Sequence, residues 1–347
     1  MYKPCRILVT GAGSGVGQGI IKALRLSKLP VIIISADIGP MNAALYRTDE
    51  AIVFQRVEIL NSPDEIIRLI YQNKIDVVMI GSEFDLVFFS RYKTVIENET
   101  GATIIVASLE TLDIANDKWL TTEFLREKNL PYAKAWLPSA LEDALNIATE
   151  WGYPIILKTR RGTSSRHVHL INDRQLLENY YSSIPSPMLQ EVIDIPTAQL
   201  NTEYTCSLFK TADGKVLGPF TARRTIRGGT SWHVEVAHFK ELNDLLLAIG
   251  QSIDFMGSLN VQLMLTKEGP IPFEINARFS GTTAIRAHFG FNEPEMALLS
   301  YYYHKNIPTP NIRSGIALRY NEEVFIDNFR ANELQPNIHK GYVNTWF

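Results

Sequence analysis

Phe273-Glu274-Ile275-Asn276-Ala277-Arg278 decides how this sequence is read. In an extended strand, side chains two residues apart share a face. Glu274 and Asn276 therefore project together, between the apolar Phe273, Ile275 and Phe279, and Arg278 follows just beyond. A carboxylate set among core residues needs a partner, because an unpaired charge taken out of water is costly. Residues 257–265 read as a preceding strand, joined to residues 272–276 through the turn signal Lys267-Glu268-Gly269-Pro270. That connection brings Gln262 beside Glu274, so that one carboxylate and two amide oxygens, from Gln262, Glu274 and Asn276, can converge. Hard oxygen ligands of this kind suit Mg²⁺, with Mn²⁺ as a substitute, and such an ion keeps most of its contacts for phosphate oxygens and water. Arg278 is placed to neutralise charge on a transferring phosphate, which makes it a candidate catalytic residue.

Two upstream segments supply what a phosphate-bound metal would need. Residues 154–158 form a strand-like run ending in Lys158, followed by Thr159-Arg160-Arg161-Gly162-Thr163-Ser164-Ser165-Arg166. A small, hydroxyl-rich loop can fold over a triphosphate, with backbone N–H groups and the hydroxyls of Thr163, Ser164 and Ser165 as donors. Lys158 reaches the phosphates as a point charge and is the second catalytic candidate. Further on, the apolar strand 188–192 ends in Glu191 and Val192, whose main-chain groups can face an adenine, and Glu203 can accept from ribose hydroxyls.

A more conspicuous motif lies at the other end of the chain. Thr10-Gly11-Ala12-Gly13-Ser14-Gly15-Val16-Gly17 follows the strand-like Ile7-Leu8-Val9 and opens a helix, and Asp37 stands 20 residues after Gly17. This is the spacing of a dinucleotide fingerprint. A short-chain oxidoreductase using NAD(P) also needs a Tyr-x-x-x-Lys pair. The match here is Tyr301 to Lys305, inside Tyr-Tyr-Tyr-His-Lys at the far end of the chain. Glycines of this kind also serve a tight strand-to-helix turn with no ligand, or an acceptor-substrate loop, and those readings are preferred over a dinucleotide.

The chain has 347 residues, enough for two or three compact units. Residues 1–110 alternate strand and helix signals: helices at 18–26 and 59–71, strands at 31–35, 75–80 and 102–106. That alternation predicts a doubly wound parallel sheet. From there the pattern is α+β, with helices at 120–128, 141–151 and 239–256 and a late strand at 316–320. A region 111–188 and a region 189–347 are expected to form its two parts. A net charge of −3 argues against a general nucleic-acid binder. Two widely separated cysteines, Cys5 and Cys206, fit neither a zinc site nor a disulfide framework. With no apolar run of membrane-spanning length and no signal-peptide pattern at the start, a cytoplasmic location with no membrane partner is expected.

Taken in order, the segments 7–22, Asn116-Asp117-Lys118, Leu157-Lys158, Gln190-Glu191, Glu203-Tyr204-Thr205, Gln262 and Phe273-Glu274-Ile275-Asn276-Ala277-Arg278-Phe279-Ser280-Gly281 resemble the ATP-grasp superfamily. They are most similar to single-chain relatives of the carbamoyl-phosphate synthetase large subunit, over residues 5–320. The resemblance implies a Rossmann-like pre-ATP-grasp domain followed by two α+β subdomains that grip ATP between them. It implies that Gln262, Glu274 and Asn276 hold one or two Mg²⁺, and that Lys118 and Lys158 contact phosphates. It also places Glu191 and Val192 at the adenine, Glu203 at the ribose and Arg278 on the phosphates. Two departures stand out: the connection between Glu191 and Glu203 is long, and Thr159 follows Lys158 where the superfamily often has proline.

The reaction implied is a carboxylate–amine ligation through an acyl phosphate, with an amine or ammonia as acceptor. By analogy it belongs to amino-acid, peptide or surface-polysaccharide chemistry. Arg224 and Arg286 are candidates for holding the substrate carboxylate, since an arginine fork suits that group. A homodimer is left open. The alternatives are the oxidoreductase above and a nucleotide-binding protein without turnover.

Overall fold

The computed structural model describes residues 2–162, 167–195 and 202–326, and the backbone of residues 339–340. The chain begins with β1 (Cys5–Thr10), α1 (Gly15–Leu26), β2 (Val31–Asp37), β3 (Glu50–Val53), α2 (Asp64–Gln72), β4 (Val77–Ile80), α3 (Glu83–Thr100) and β5 (Thr103–Ile105). The strands are short β-branched runs buried on both faces, as a parallel sheet covered by helices requires. They pair in the order β3-β2-β1-β4-β5, all parallel. The order reverses beside β1, so the loops after β1 and β4 lie next to one another, where such sheets take ligands.

Three differences from the sequence reading concern this sheet. The helix expected over 59–71 starts at Asp64, because Pro63 and the acidic first turn Asp64-Glu65 set its beginning. The helix α3, unassigned in the sequence reading, carries apolar side chains without one clean stripe, burying Leu86, Phe88, Phe89 and Ile96 against the sheet. The sheet also has an antiparallel edge, β17 (His339–Lys340), paired with β3. Residues 339–340 thus lie on the amino-terminal sheet instead of with the rest of the region 189–347.

The helices α4 (Leu109–Asn116) and α5 (Lys118–Glu127) connect to a four-stranded antiparallel sheet. Its strands are β6 (Ala135–Trp136), β7 (Ile155–Thr159), β8 (Val168–Ile171) and β9 (Pro187–Glu191), in the order β6-β9-β7-β8. The helices α6 (Leu141–Trp151) and α7 (Arg174–Tyr181) cover it. A boundary between residues 188 and 189 would cut through β9, which pairs with both β6 and β7. This lobe has a small core of its own, from Ala144 to Leu189, separate from the two cores that the amino-terminal and large sheets share.

The remaining strands are β10 (Glu203–Lys210), β11 (Val216–Phe220), β12 (Ala222–Arg227), β13 (Thr230–Val236), β14 (Gly257–Thr266), β15 (Gly269–Asn276) and β16 (Gly315–Leu318). They form a seven-stranded antiparallel sheet ordered β15-β14-β10-β12-β13-β16, with β11 on β10. The helices α8 (Asn243–Ser252), α9 (Thr283–His288) and α10 (Glu293–Ala297) flank it. The hairpin β14–β15 turns on Lys267-Glu268 alone, with Gly269 already paired to Thr266. Ile275 faces the core with no exposure, leaving Glu274 and Asn276 on the opposite face, as the alternation requires. Among the described residues no helix is long and apolar enough to cross a membrane.

Candidate active site

Pairing in the β14–β15 hairpin sets Gln262 directly opposite Glu274, and Asn260 opposite Asn276. One carboxylate oxygen of Glu274 accepts from the Gln262 amide at 2.8 Å and from the Asn276 amide at 2.8 Å. The convergence expected of these three side chains is therefore present. Among the described residues no three His, Cys, Asp or Glu side chains converge on one point, so this set has a single carboxylate and two amides. Rotating both amides by half a turn exchanges their N–H₂ groups for oxygens and makes an all-oxygen set, with the Gln262 oxygen leaving Arg224 in the process. The donor chemistry thus fits a hard divalent cation whose remaining ligands are phosphate and water.

Arg224, on β12, enters the same cluster. Its guanidinium donates to the Gln262 carbonyl at 2.7 Å, to the Ser231 hydroxyl at 2.9 Å, and to Glu203 in a close ion pair. Glu203, at the start of β10, is held across the sheet by its register with Arg224. A network thus runs Glu203, Arg224, Gln262, Glu274, Asn276 across four strands. The carboxylate expected to take the ribose is engaged by the arginine expected to take the substrate.

Lys158, at the end of β7, is almost fully buried and donates to Gln190. Burial pushes its ammonium down to about 7, the neighbouring Lys118 adds to the effect, and Glu274 opposes it. Lys118 opens α5, and its ammonium is also lowered by burial, with Glu274, Glu83 and Asp117 pulling the other way. The two lysines and Glu274 therefore act on one another, although they come from different lobes. Two cations are thus concentrated beside one carboxylate, an arrangement that a further anion would relieve.

Asp117 positions this pair, and the sequence reading gave it no role beyond its place in a matched motif. It is fully buried, caps α5 through the Trp119 and Leu120 amides, and receives Arg160 at 2.8 Å and Arg161 at 3.1 Å. Burial raises its carboxyl, but the hydrogen bonds from Arg160, Arg161 and Leu120 outweigh that and hold it below the usual range. The Lys118 ammonium also reaches the Gly162 carbonyl at 2.7 Å. The loop after β7 is thereby anchored at its base. Thr163, Ser164 and Ser165, the expected phosphate donors, lie outside the described residues.

Other expected residues sit less simply. Arg278 is ion-paired with Glu83, the first residue of α3, and donates to the Phe279 carbonyl at 3.0 Å. It faces the seam between the amino-terminal and large sheets, beside the lysine cluster through Glu83's effect on Lys118. Glu191 spends both its amide and its carboxylate on Lys134, at 2.9 and 2.6 Å, so its N–H is not available to an adenine. Val192 follows the strand and is exposed. Arg286 is not brought to the cluster surface. It is fully buried, bonded to Glu293 at 3.0 Å and to Asn260, and a group with no exposure cannot meet a substrate carboxylate.

The glycine loop carries its own explanation. The Asp37 carboxylate accepts from the Gly13 amide at 2.8 Å and from the Asn42 side chain at 2.9 Å, so the acid expected for a ribose closes the loop instead. A Cβ on Gly13 would lie 1.6 Å from the Asn42 amide nitrogen, so the packing of Asn42 requires glycine there, beside a cavity that Gly11, Gly13, Ser14 and Asp37 also line. A Cβ on Gly17 would lie 2.3 Å from the Gly11 carbonyl, so this glycine is required by backbone packing. The Tyr301 hydroxyl donates to the Lys210 carbonyl at 2.7 Å and accepts from the Gly257 amide at 3.1 Å. Burial pushes it up to about 12. A tyrosine so engaged is a poor proton donor, so the Tyr301–Lys305 pair gives the oxidoreductase alternative no support.

A family model described as ATP-grasp in the biosynthetic pathway with Ter operon matches residues 198–324, which contain the whole Gln262–Glu274–Asn276 cluster. The large chain of carbamoyl phosphate synthase from Clostridium acetobutylicum is 25% identical over 198 residues, 54% of this chain. The match spans only 18% of that relative's length. Among solved structures, the biotin carboxylase domain of Hydrogenobacter thermophilus 2-oxoglutarate carboxylase superposes with a TM-score of 0.72 at 15% identity, over 91% of this chain and 74% of that one. N5-carboxyaminoimidazole synthetase from Staphylococcus aureus gives 0.69 at 15%, over 90% and 80%. N5-carboxyaminoimidazole ribonucleotide synthetase from Thermotoga maritima gives 0.63 at 21%, over 84% and 74%. The chain therefore has the ATP-grasp fold: a parallel-sheet domain, a small antiparallel lobe and a large antiparallel sheet. The resemblance to the ATP-grasp superfamily, on the carbamoyl-phosphate synthetase side, is borne out.

Proposed function

We propose that this chain is an ATP- and Mg²⁺-dependent carboxylate–amine ligase, with the nucleotide held between the four-stranded lobe and the seven-stranded sheet. The observation that carries the reading is the mutual influence of Lys118, Lys158 and Glu274, one half-buried and one buried cation and one carboxylate contributed from both sides of that cleft. Glu274, with Gln262 and Asn276, would hold the metal, Mn²⁺ serving in place of Mg²⁺. The bound ion supplies Lewis-acid neutralisation of phosphate charge.

The protein's own groups do the rest. Lys118 and Lys158 bind and orient the phosphates, and both gain proton affinity as they do so. Arg278 exchanges Glu83 for the phosphate undergoing transfer, placing a fixed cation where charge accumulates. The substrate carboxylate takes the phosphoryl group, and the amine then displaces phosphate. No protein nucleophile is needed, since positioning and charge stabilisation carry phosphoryl transfer. Arg224, already at Gln262, would take the substrate carboxylate on this face in exchange for Glu203.

Calorimetry with Mg-ATP and separately with NADPH, then ADP release over a panel of carboxylates and amines, tests the reading. Mg-ATP binding that disappears in Glu274→Ala is expected. NADPH binding without ATP binding would overturn the assignment. ATP binding with no turnover on any acceptor pair would favour a nucleotide-binding protein without catalysis.

A further inference from the structure

A cavity of about 240 Å³ opens where the strand order of the amino-terminal sheet reverses. Its walls are the glycine loop after β1, Asp37 at the end of β2, the turn after β3 and the first turn of α3. Neither the metal candidates Gln262, Glu274 and Asn276 nor Lys118 and Lys158 line it. The donors that would serve an anion here are already in use. The Gly13 amide goes to Asp37 at 2.8 Å, the Gly17 amide to the Ser14 hydroxyl at 2.9 Å, and the Asn42 side chain to Asp37 at 2.9 Å.

The charge on the lining is acidic. Asp37, Glu58 and Asp85 stand there against one cation, Arg56. Arg56 is 61% exposed and reaches Glu58 at 3.8 Å, a surface pair that offsets little. Asp85 is the informative member, because it is 8% exposed and still faces the cavity. Burial pushes its carboxyl up to about 6, the neighbouring Asp37 and Glu58 add to the rise, and the Thr10 hydroxyl works the other way. Thr10 is fully buried, and its hydroxyl forms no hydrogen bond of good geometry. The amino-terminal end of α3 favours the charge without offsetting the burial. A cation brought to Asp85 would relieve both its desolvation and the repulsion from its neighbours.

The same cavity has an apolar side. Phe84 and Ile38 line it and are 70% and 53% exposed, with Phe54 and Val57 also on the lining. An exposed aromatic ring next to a carboxylate is a pairing that holds organic ammonium ions, since ring face and carboxylate both attract the charge and the ring covers the body. We propose that this cavity binds a small organic cation, an amine on an apolar or aromatic body, with its ammonium on Asp85 and its body against Phe84 and Ile38. Asp85 shares the first turn of α3 with Glu83, so the amine lies within one helical turn of the residue that holds Arg278.

Calorimetric titration of the full chain with phenethylamine, without any nucleotide, tests this, so its outcome is separate from that of the proposed ligase reaction. 2-Phenylethanol, the same body without the charge, should bind about tenfold more weakly, the equivalent of one charge-assisted contact. Asp85→Asn should weaken phenethylamine about tenfold and leave 2-phenylethanol as it was. Glu58→Gln and Phe84→Ser, both at exposed positions, should each weaken phenethylamine severalfold, and they keep the test decisive if Asp85→Asn fails to fold. Equal affinity for phenethylamine and 2-phenylethanol overturns the proposal. So does phenethylamine affinity unchanged in both Glu58→Gln and Phe84→Ser, binding of 3-phenylpropionate as tight as that of the amine, or no binding of phenethylamine at all.

Discussion

Arg278, just past β15, and Glu83, at the start of α3, form an ion pair across 195 positions of sequence. The pair ties the strand that carries Glu274 to the amino-terminal sheet, and it keeps a cation close to Lys118 and its neighbours. It also means that Arg278 has one partner before any phosphate arrives and another afterwards.

A double-mutant cycle on this pair separates its two uses. In urea denaturation of the chain without ligand, Glu83→Gln and Arg278→Met should each destabilise, with a coupling of about 1–3 kcal/mol, as for a hydrogen-bonded charge pair. In turnover, Arg278→Met should lose about a hundredfold and Glu83→Gln far less. Equal losses of turnover would mean that Arg278 acts only as a strut.

Lys158 should make nucleotide binding depend on pH. Its folded value of about 7 lies below the ordinary lysine value, so between the two the unfolded chain holds a proton that the folded chain lacks. Stability therefore rises with pH through that window and is lowest below about 7. Phosphate binding reverses the depression, so at pH 8 it should draw in about one proton per nucleotide. Calorimetry in two buffers of different ionisation enthalpy measures that uptake. Lys158→Met should abolish it, stabilise the ligand-free fold and weaken ATP binding, a trade of stability for function.

Glu274→Gln preserves shape and hydrogen bonding but removes the one carboxylate of the Gln262–Asn276 cluster. Its melting temperature should stay within a few degrees of the parent, while the Mg²⁺ concentration for half-maximal ATP binding rises by about tenfold or more. A matching titration with Mn²⁺ should show the same displacement. Unchanged metal dependence would place the ion elsewhere.

Asp117→Ala leaves Arg160 and Arg161 without their common carboxylate and removes the cap of α5. Because Arg160 and Arg161 are partly exposed, the expected loss is about 2–3 kcal/mol, below that of a fully buried pair. ATP affinity should fall with it, since the Lys118 ammonium and the loop base move together. Asp117→Asn restores the cap but not the charge and should recover only part of each.

Gly17→Ala should destabilise the chain by about 2–4 kcal/mol, because the added Cβ meets the Gly11 carbonyl rather than a side chain that can turn away. The parent chain should show no NADPH binding by calorimetry. Binding of NADPH to the parent would contradict the closure of the loop by Asp37 and Asn42.

What the sequence determined by itself was local and periodic. The alternation in Phe273–Arg278 put Glu274 and Asn276 on one face, the turn after Thr266 put Gln262 opposite, and β-branched runs marked the buried parallel strands. Those features depend on residues near one another in the chain, where strand geometry alone sets direction. Tertiary structure decided everything that rests on burial or on distant partners. It tied the Gly11–Gly17 loop to Asp37 and Asn42, which fold back onto it. It sent Arg286 into the core to meet Glu293 and brought Arg224 to Gln262, although in sequence both read as equivalent candidates for a substrate carboxylate. It gave Asp117 its role through two arginines more than forty positions away. An arginine's use is set by whether water or a carboxylate surrounds its guanidinium, and that environment exists only once the sheets have closed on one another.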